Sequence, residues 1–165
     1  MTNLSYETTL RIRDACLCLA AQRAARALAR RFDEALRPLD LTNGQFFLLM
    51  SLNRPQPPPM AAVASLLAMD RTTLTAALKP LERRGLVTVA PDPGDRRSRL
   101  MALTPKGMTL LARAVPIWER THSEIEDLLP DGDPDRLRSD LRALSVAGEL
   151  SFRVSKITSR RKECR

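Results

Sequence analysis

Two short helical repeats follow one another in this chain, Met60–Leu67 and Arg71–Arg84, with only Ala68-Met69-Asp70 between them. Two helices joined by so short a turn read as a helix-turn-helix. Asp70 is placed to cap the second helix, Leu74, Leu78 and Leu81 give it one buried stripe, and Gly85 stands where a left-handed residue closes a helix. Pro80 removes a backbone donor inside that helix and predicts a kink. Behind it, Leu86–Ala90 reads as a strand, Pro91-Asp92-Pro93-Gly94-Asp95 as a turn and Ser98–Leu103 as the returning strand. A hairpin behind a helix-turn-helix is a wing.

The flanks are helical. Over residues 8–37, Leu17, Ala21, Ala24, Leu28, Phe32 and Ala35 or Leu36 recur at steps of three and four, which predicts one long amphipathic helix closed by Pro38. Leu41-Thr42 opens a further helix through the apolar run Phe46–Leu52, with Thr42 as its N-cap. Pro55, Pro57, Pro58 and Pro59 then make Arg54–Pro59 a rigid loop. After the wing, Thr104 caps a long helix that starts at Pro105 and runs to about Leu129, where Pro130-Asp131-Gly132-Asp133-Pro134 stops it. A last helix is expected from about Asp135 to Phe152, with Leu137, Leu141, Leu144 and Ala147 or Gly148 in register, before a basic tail. The fold class is therefore mostly α with a small β-hairpin wing, a winged helix-turn-helix core flanked by long helices.

Charge narrows the class of partner. Lys and Arg number 27 against 19 Asp and Glu, a formal net charge of +8 that points to a polyanion, most simply nucleic acid. No stretch approaches the roughly 18 apolar residues of a membrane span, and Glu7 and Asp14 interrupt anything resembling a signal peptide. We expect a cytoplasmic protein without membrane contact. One histidine and three cysteines without framework spacing argue against a disulfide scaffold or a zinc site. With no glycine-rich phosphate loop and no nucleophile beside a base, no enzymatic chemistry and no cofactor are expected.

A helix entering the major groove needs short hydrogen-bonding side chains and a few cations. Opposite the leucine stripe, Thr72, Thr75, Ala76 and Lys79 face away from the core, while Arg71 and Thr73 lie at the helix N-terminus, where backbone N–H groups favour phosphate. The alternative is a solvated helix with a threonine cap. The wing tilts the balance, because Arg96, Arg97 and Arg99 stand at its tip and at the start of the returning strand, suited to a narrow, electronegative minor groove. Asp95 is expected to shape the turn and pair with an arginine. A weakly specific DNA-coating protein would also be basic, and a pure dimerisation module would need neither the arginines nor the threonines.

The chain resembles the MarR family of winged-helix transcriptional regulators. The resemblance is carried by Leu41-Thr42, by Met69-Asp70-Arg71-Thr72-Thr73-Leu74-Thr75, by Leu81-Glu82-Arg83-Arg84-Gly85-Leu86-Val87, and by Asp92-Pro93-Gly94-Asp95-Arg96-Arg97 followed by Leu103-Thr104-Pro105-Lys106-Gly107. It extends over about residues 8–152. It implies a homodimer whose first and last helices interlock, residues 1–40 and 105–155 serving dimerisation and 41–104 forming the DNA-binding core; the tail, 156–165, is expected to be disordered from its basic residues and lack of a core-forming pattern. Long apolar stripes beside a small core are compatible with that, since a second copy would bury the surplus. The resemblance further implies a repressor that binds a double-stranded, pseudo-palindromic operator and is released by a small aromatic or phenolic effector. The candidate lining is Phe32, Phe46, Phe47, Met50, Trp118 and His122, for which ordinary core packing is the competing account. Cys18 stands ahead of Thr42 at the spacing of the reactive cysteine in the organic-hydroperoxide-sensing branch, although that branch's tyrosines fall here on Phe32 and Asn43. Buried inert thiols are the alternative. Two residues apart on one helix, Cys16 and Cys18 would point about 200° apart and could not pair, and Cys164 is incidental.

Overall fold

The structure, a computed structural model, describes residues 4–95, 97–129 and 132–145. It divides into two compact units, Met1–Thr121 and His122–Arg165. The elements run α1 (Tyr6–Ala15), α2 (Leu17–Leu36), a 3-10 turn (Arg37–Leu39), α3 (Asn43–Leu52), α4 (Met60–Leu66), α5 (Arg71–Arg83), β1 (Val87–Pro91), β2 (Arg99–Leu103) and α6 (Pro105–Glu126). Residues 134–145, in the second unit, are helical and are called α7. The predicted class stands: the described residues are mostly helical with one antiparallel hairpin among them.

The first departure from expectation is at the N-terminus, where the single helix of residues 8–37 is two. Cys16 leaves helical geometry, with φ −80° and ψ 104°, and its Sγ accepts the Leu19 N–H as the N-cap of α2. No proline or glycine marks the break, and one extended residue leaves the apolar period almost undisturbed, so the pattern alone conceals it. Leu17 and Leu28 of the stripe are exposed in the single chain.

The core of this unit sits under the helix-turn-helix. Leu74, Leu78 and Leu81 of α5 are almost wholly buried, together with Leu48 and Leu49 of α3, Val63 of α4 and Met101 of β2. Each such side chain is worth about 1.5–3 kcal/mol of transfer free energy, which locks α5 against the other elements. Thr42 begins α3 with a reciprocal capping box, its hydroxyl accepting from Gln45 N and the Gln45 side chain accepting from Thr42 N. The helix α5 runs through Pro80 to Arg83 without a break.

Three helix ends close alike. Beyond each, one residue turns left-handed, Asp40 at φ 51°, Ala68 at φ 50° and Gly85 at φ 67°. The next N–H then reaches back to a carbonyl of the last turn: Leu41 to Leu36, Met69 to Ala64 and Leu86 to Leu81. Gly85 adopts this geometry freely, whereas Ala68 carries a Cβ that the left-handed region penalises by about 1–2 kcal/mol. Ala68→Gly is expected to raise the unfolding free energy by about 1 kcal/mol, net of the extra chain entropy of glycine. Urea denaturation checks it, and a destabilised variant would show that Ala68 is not strained.

The hairpin pairs Val87 with Leu103 through Pro91 with Arg99. It starts one residue later than expected because the Leu86 N–H closes α5 and the Leu86 carbonyl accepts from Thr104 N at 3.1 Å. The proline loop also does more than separate helices. The Pro58 carbonyl accepts from Met101 N at 3.1 Å and Pro59 bridges to Leu100, so the loop lies along the free side of β2.

In the second unit α6 ends at Glu126 rather than near Leu129. Leu128 and Leu129 bond back three residues, to Ile125 and Glu126, which tightens and terminates the coil before the predicted breaker. Arg138 of α7 grips Glu126 at 2.5 Å and Asp135 at 2.7 Å. Its hydrogen bonds hold both carboxyls below the usual carboxylate range. Leu137, Leu141 and Leu144 are exposed. The expected continuation to Phe152, and the basic tail with Cys164, lie outside the described residues.

Candidate nucleic-acid interface

The helix α5 presents its polar face because its leucines are spaced to bury the opposite one. Arg71, Thr72, Thr73, Thr75 and Lys79 are all exposed, as is Ala76. Asp70 begins the helix, its Oδ1 accepting from Thr73 N at 2.8 Å and its Oδ2 from the Thr73 hydroxyl at 2.7 Å. The Thr73 backbone N–H, and then its hydroxyl, hold the Asp70 carboxyl below the usual range.

The wing tip is built by its acids. Asp92 Oδ1 accepts from Gly94 N at 2.8 Å, and Asp95 Oδ1 accepts from Arg97 N at 2.9 Å while the Asp95 carbonyl takes the Ser98 N–H at 2.8 Å. Asp95 thus shapes the turn as expected. Among the described residues the Asp95 carboxylate is held by the Arg97 backbone N–H and by no guanidinium. Arg97 and Arg99 remain exposed, and Arg96 lies outside the described residues.

The helix and the wing meet in one groove of about 470 Å³, lined by Arg71 of α5, Arg97 and Arg99 of the wing, Met60, Ala61 and Ala64 of α4, and Asp95 and Ser98. Among the described residues three arginines and one carboxylate line this open cleft, a chemistry suited to an extended anion such as a nucleic-acid backbone. Lys79 is not part of it. Eight residues further along α5, about 12 Å at the helical rise, it lines a second groove with Glu82 and Arg83.

The end of α5 is fixed by contacts that sequence reasoning did not assign. Arg84 donates to the Asp40 carbonyl at 2.5 Å and the Leu39 carbonyl at 3.4 Å. The three carbonyls that follow α5 are taken in turn by the start of α6: Arg84 by Lys106 Nζ at 2.8 Å, Gly85 by the Thr104 hydroxyl at 2.7 Å and Leu86 by Thr104 N. Thr104 caps α6 as predicted, accepting from Gly107 N at 3.0 Å. Apart from Leu39 and Asp40, these residues stand in the two blocks from Leu81 to Val87 and from Leu103 to Gly107, whose sequence does not reveal this geometry.

Among the aromatic candidates, Phe46 stacks on Trp118 with ring centroids 6.4 Å apart and lies 5.7 Å from Phe47. Phe32 and Phe46 are buried, Phe47 and Trp118 half-buried and Met50 exposed. His122 belongs to the second unit, where its Nε2 lies 3.1 Å from Glu126 Oε1. Cys18 is exposed, with the Gln22 amide donating to its Sγ at 3.3 Å. Cys16 is a cap rather than a helical residue, its Sγ engaged by the Leu19 N–H, and it and Cys18 are both free thiols.

Comparison with known proteins accords with this geometry. The MarR family pattern matches residues 41–98, the segment that holds α3, α4, α5 and most of the wing. The transcriptional regulator MosR of M. tuberculosis, solved in complex with DNA, is 38% identical with a TM-score of 0.75, the match covering 82% of this chain and 98% of MosR. The transcriptional repressor NicR of Pseudomonas putida is 37% identical over 76 residues, and the chain spans about half of that relative, 48% of its length. The organic hydroperoxide resistance transcriptional regulator of Bacillus subtilis is 31% identical over 101 residues, 61% of this chain and 69% of the relative.

Proposed function

The chain belongs to the MarR family, and from that premise we propose that it is a cytoplasmic, sequence-specific DNA-binding repressor that occupies a pseudo-palindromic operator as a homodimer. The observation that carries the proposal is the groove in which Arg71 at the start of α5 meets Arg97 and Arg99 of the wing. The exposed threonine face of α5 supplies base-edge chemistry beside it, and MosR, similar over most of this chain, is a regulator solved on DNA. The dimer is supported by the apolar side chains left exposed in the single chain, Ile12, Leu17 and Leu28 in the first unit and Leu137, Leu141 and Leu144 in the second. The reading calls for no catalysis. Among the described residues no cluster of metal-ligating side chains is present and no helix is long and apolar enough to cross a membrane.

Selection of bound sequences from random duplex DNA at near-physiological salt, with the mass of the protein measured by light scattering, tests the proposal. An inverted repeat with half-sites about 34–36 Å apart and a dimeric mass are expected. Binding that tracks salt alone, without an enriched sequence, would make the protein a general DNA coater.

Regulation has two readings. An aromatic effector is supported by Phe47, Met50 and Trp118, which keep accessible surface around the buried Phe46; a screen of phenolic acids for release of the selected DNA decides it. A thiol switch is favoured by the exposure of Cys18 and by the helix break at Cys16 beside it. Organic hydroperoxide is then expected to release DNA from the parent protein and not from Cys18→Ser, and equal release from both would remove Cys18 from the mechanism.

A further inference from the structure

The three threonines at the start of α5 are alike in sequence and exposure, but their hydroxyl protons are committed differently. The Thr73 proton goes to Asp70 Oδ2 at 2.7 Å. The Thr75 proton goes to the Arg71 carbonyl at 2.7 Å, one turn back, while its oxygen also lies 3.9 Å from Met60 Sδ. Among the described residues the Thr72 hydroxyl has no such partner. A hydroxyl has one proton and two lone pairs, so these bonds decide what each residue has left to offer a base pair.

We propose that Thr75 is a specificity-determining residue that acts as an acceptor only, taking the exocyclic amino group of adenine or cytosine in the major groove, and that Asp70 and Thr73 form a positioning pair that reads no base. The inference rests on the DNA-binding reading above.

The chemistry follows from the committed proton. In the major groove adenine and cytosine present amino donors, whereas guanine N7 and O6 and thymine O4 are acceptors that need a donor. Thr75 can meet the first pair without disturbing the helix, and can meet the second only by giving up its bond to Arg71. Every base pair shows one amino group in its major groove, on adenine or on cytosine, so such a residue discriminates adenine or cytosine from guanine or thymine on one strand rather than one base pair from another. Thr72 keeps a proton to donate and is free to meet either kind of edge. Thr73 is held at both its N–H and its hydroxyl by one carboxylate. That double hold sets the first turn of α5, from which Arg71 reaches the arginine-lined groove. The depressed ionisation of Asp70 agrees with it.

The test repeats the selection experiment with the full-length parent, Thr75→Val, Thr75→Ser and Thr73→Val, each checked for parent-like helical content. The parent is expected to prefer adenine or cytosine at one strand position in each half-site. Thr75→Val, isosteric but without the hydroxyl, is expected to relax that preference by about ten-fold, and Thr75→Ser to retain it. Thr73→Val is expected to weaken binding to all sequences alike and to raise the Asp70 pKa, followed by NMR titration, towards the ordinary carboxylate value. Unchanged base preferences in Thr75→Val, or an equal loss on every sequence, would overturn the assignment of Thr75. A base preference altered by Thr73→Val would overturn the positioning pair. A parent that enriches no sequence defeats the DNA-reading proposal and this inference together, whereas a recovered operator with a Thr75-independent pattern defeats this inference alone.

Discussion

Gly107→Ala is expected to destabilise the protein by about 3 kcal/mol, although glycine to alanine inside a helix ordinarily stabilises by about 1 kcal/mol. Gly107 is buried in the first turn of α6, and a Cβ there would fall on the Leu86 carbonyl, with the carbonyl carbon only 3.0 Å away and Leu86 Cα 3.3 Å away. Backbone is the obstacle, so no rotamer change relieves it. Nor can the Leu86 peptide retreat cheaply, because its N–H closes α5 on Leu81 and its carbonyl takes the Thr104 N–H. Moving it would loosen the cap of α6 and the end of α5 at once. Urea denaturation of parent and variant at one protein concentration checks the sign, the midpoint falling with an unchanged slope. A variant as stable as its parent would show that α6 can lift from Leu86 at little cost.

Arg97→Ala is expected to weaken operator binding by about 1–3 kcal/mol, roughly 5- to 150-fold, on all sequences alike. Its backbone is fixed by Asp95 while its side chain stays exposed in the groove shared with Arg71 and Arg99, so what is lost is a positioned charge and not a piece of the fold. The dependence of log affinity on log salt is expected to fall by about one unit of slope, the signature of one lost phosphate contact. Dimerisation and helical content are expected to be unchanged. Parent-like affinity and salt slope would remove Arg97 from the interface.

Much of this architecture was legible because local chemistry and tertiary structure agree along the central segment. The stripe of Leu74, Leu78 and Leu81, the caps at Thr42, Asp70 and Thr104, and the left-handed Gly85 each have one stereochemical use, and each is found in it. The break at Cys16 was not legible, since a thiol is a weak acceptor that propensity does not flag as a cap and the apolar period passes through it. Left-handed Ala68 was hidden for a related reason, as alanine is the residue least expected there. At the interface the sequence supplied the inventory of arginines and threonines but not its grouping. Arg71 joins Arg97 and Arg99 while Lys79 goes with Glu82 and Arg83, and the direction of each threonine hydroxyl depends on carbonyls and carboxylates no pattern reveals. Arg84 reaches Leu39 and Asp40 across a chain separation that periodicity does not address.

The proline loop against β2 has a bearing on solubility. A two-stranded ribbon that projects from a protein offers unpaired backbone to any extended chain it meets, and edges of this kind seed aggregation. On the β2 side the vacancy is filled by Pro58 and Pro59, residues with no N–H to offer outward, and Pro57 precedes them. A strand approaching from that side finds no donors across these prolines, so the ladder stops there. The hairpin can therefore stay exposed without inviting neighbouring chains to extend its sheet along that side.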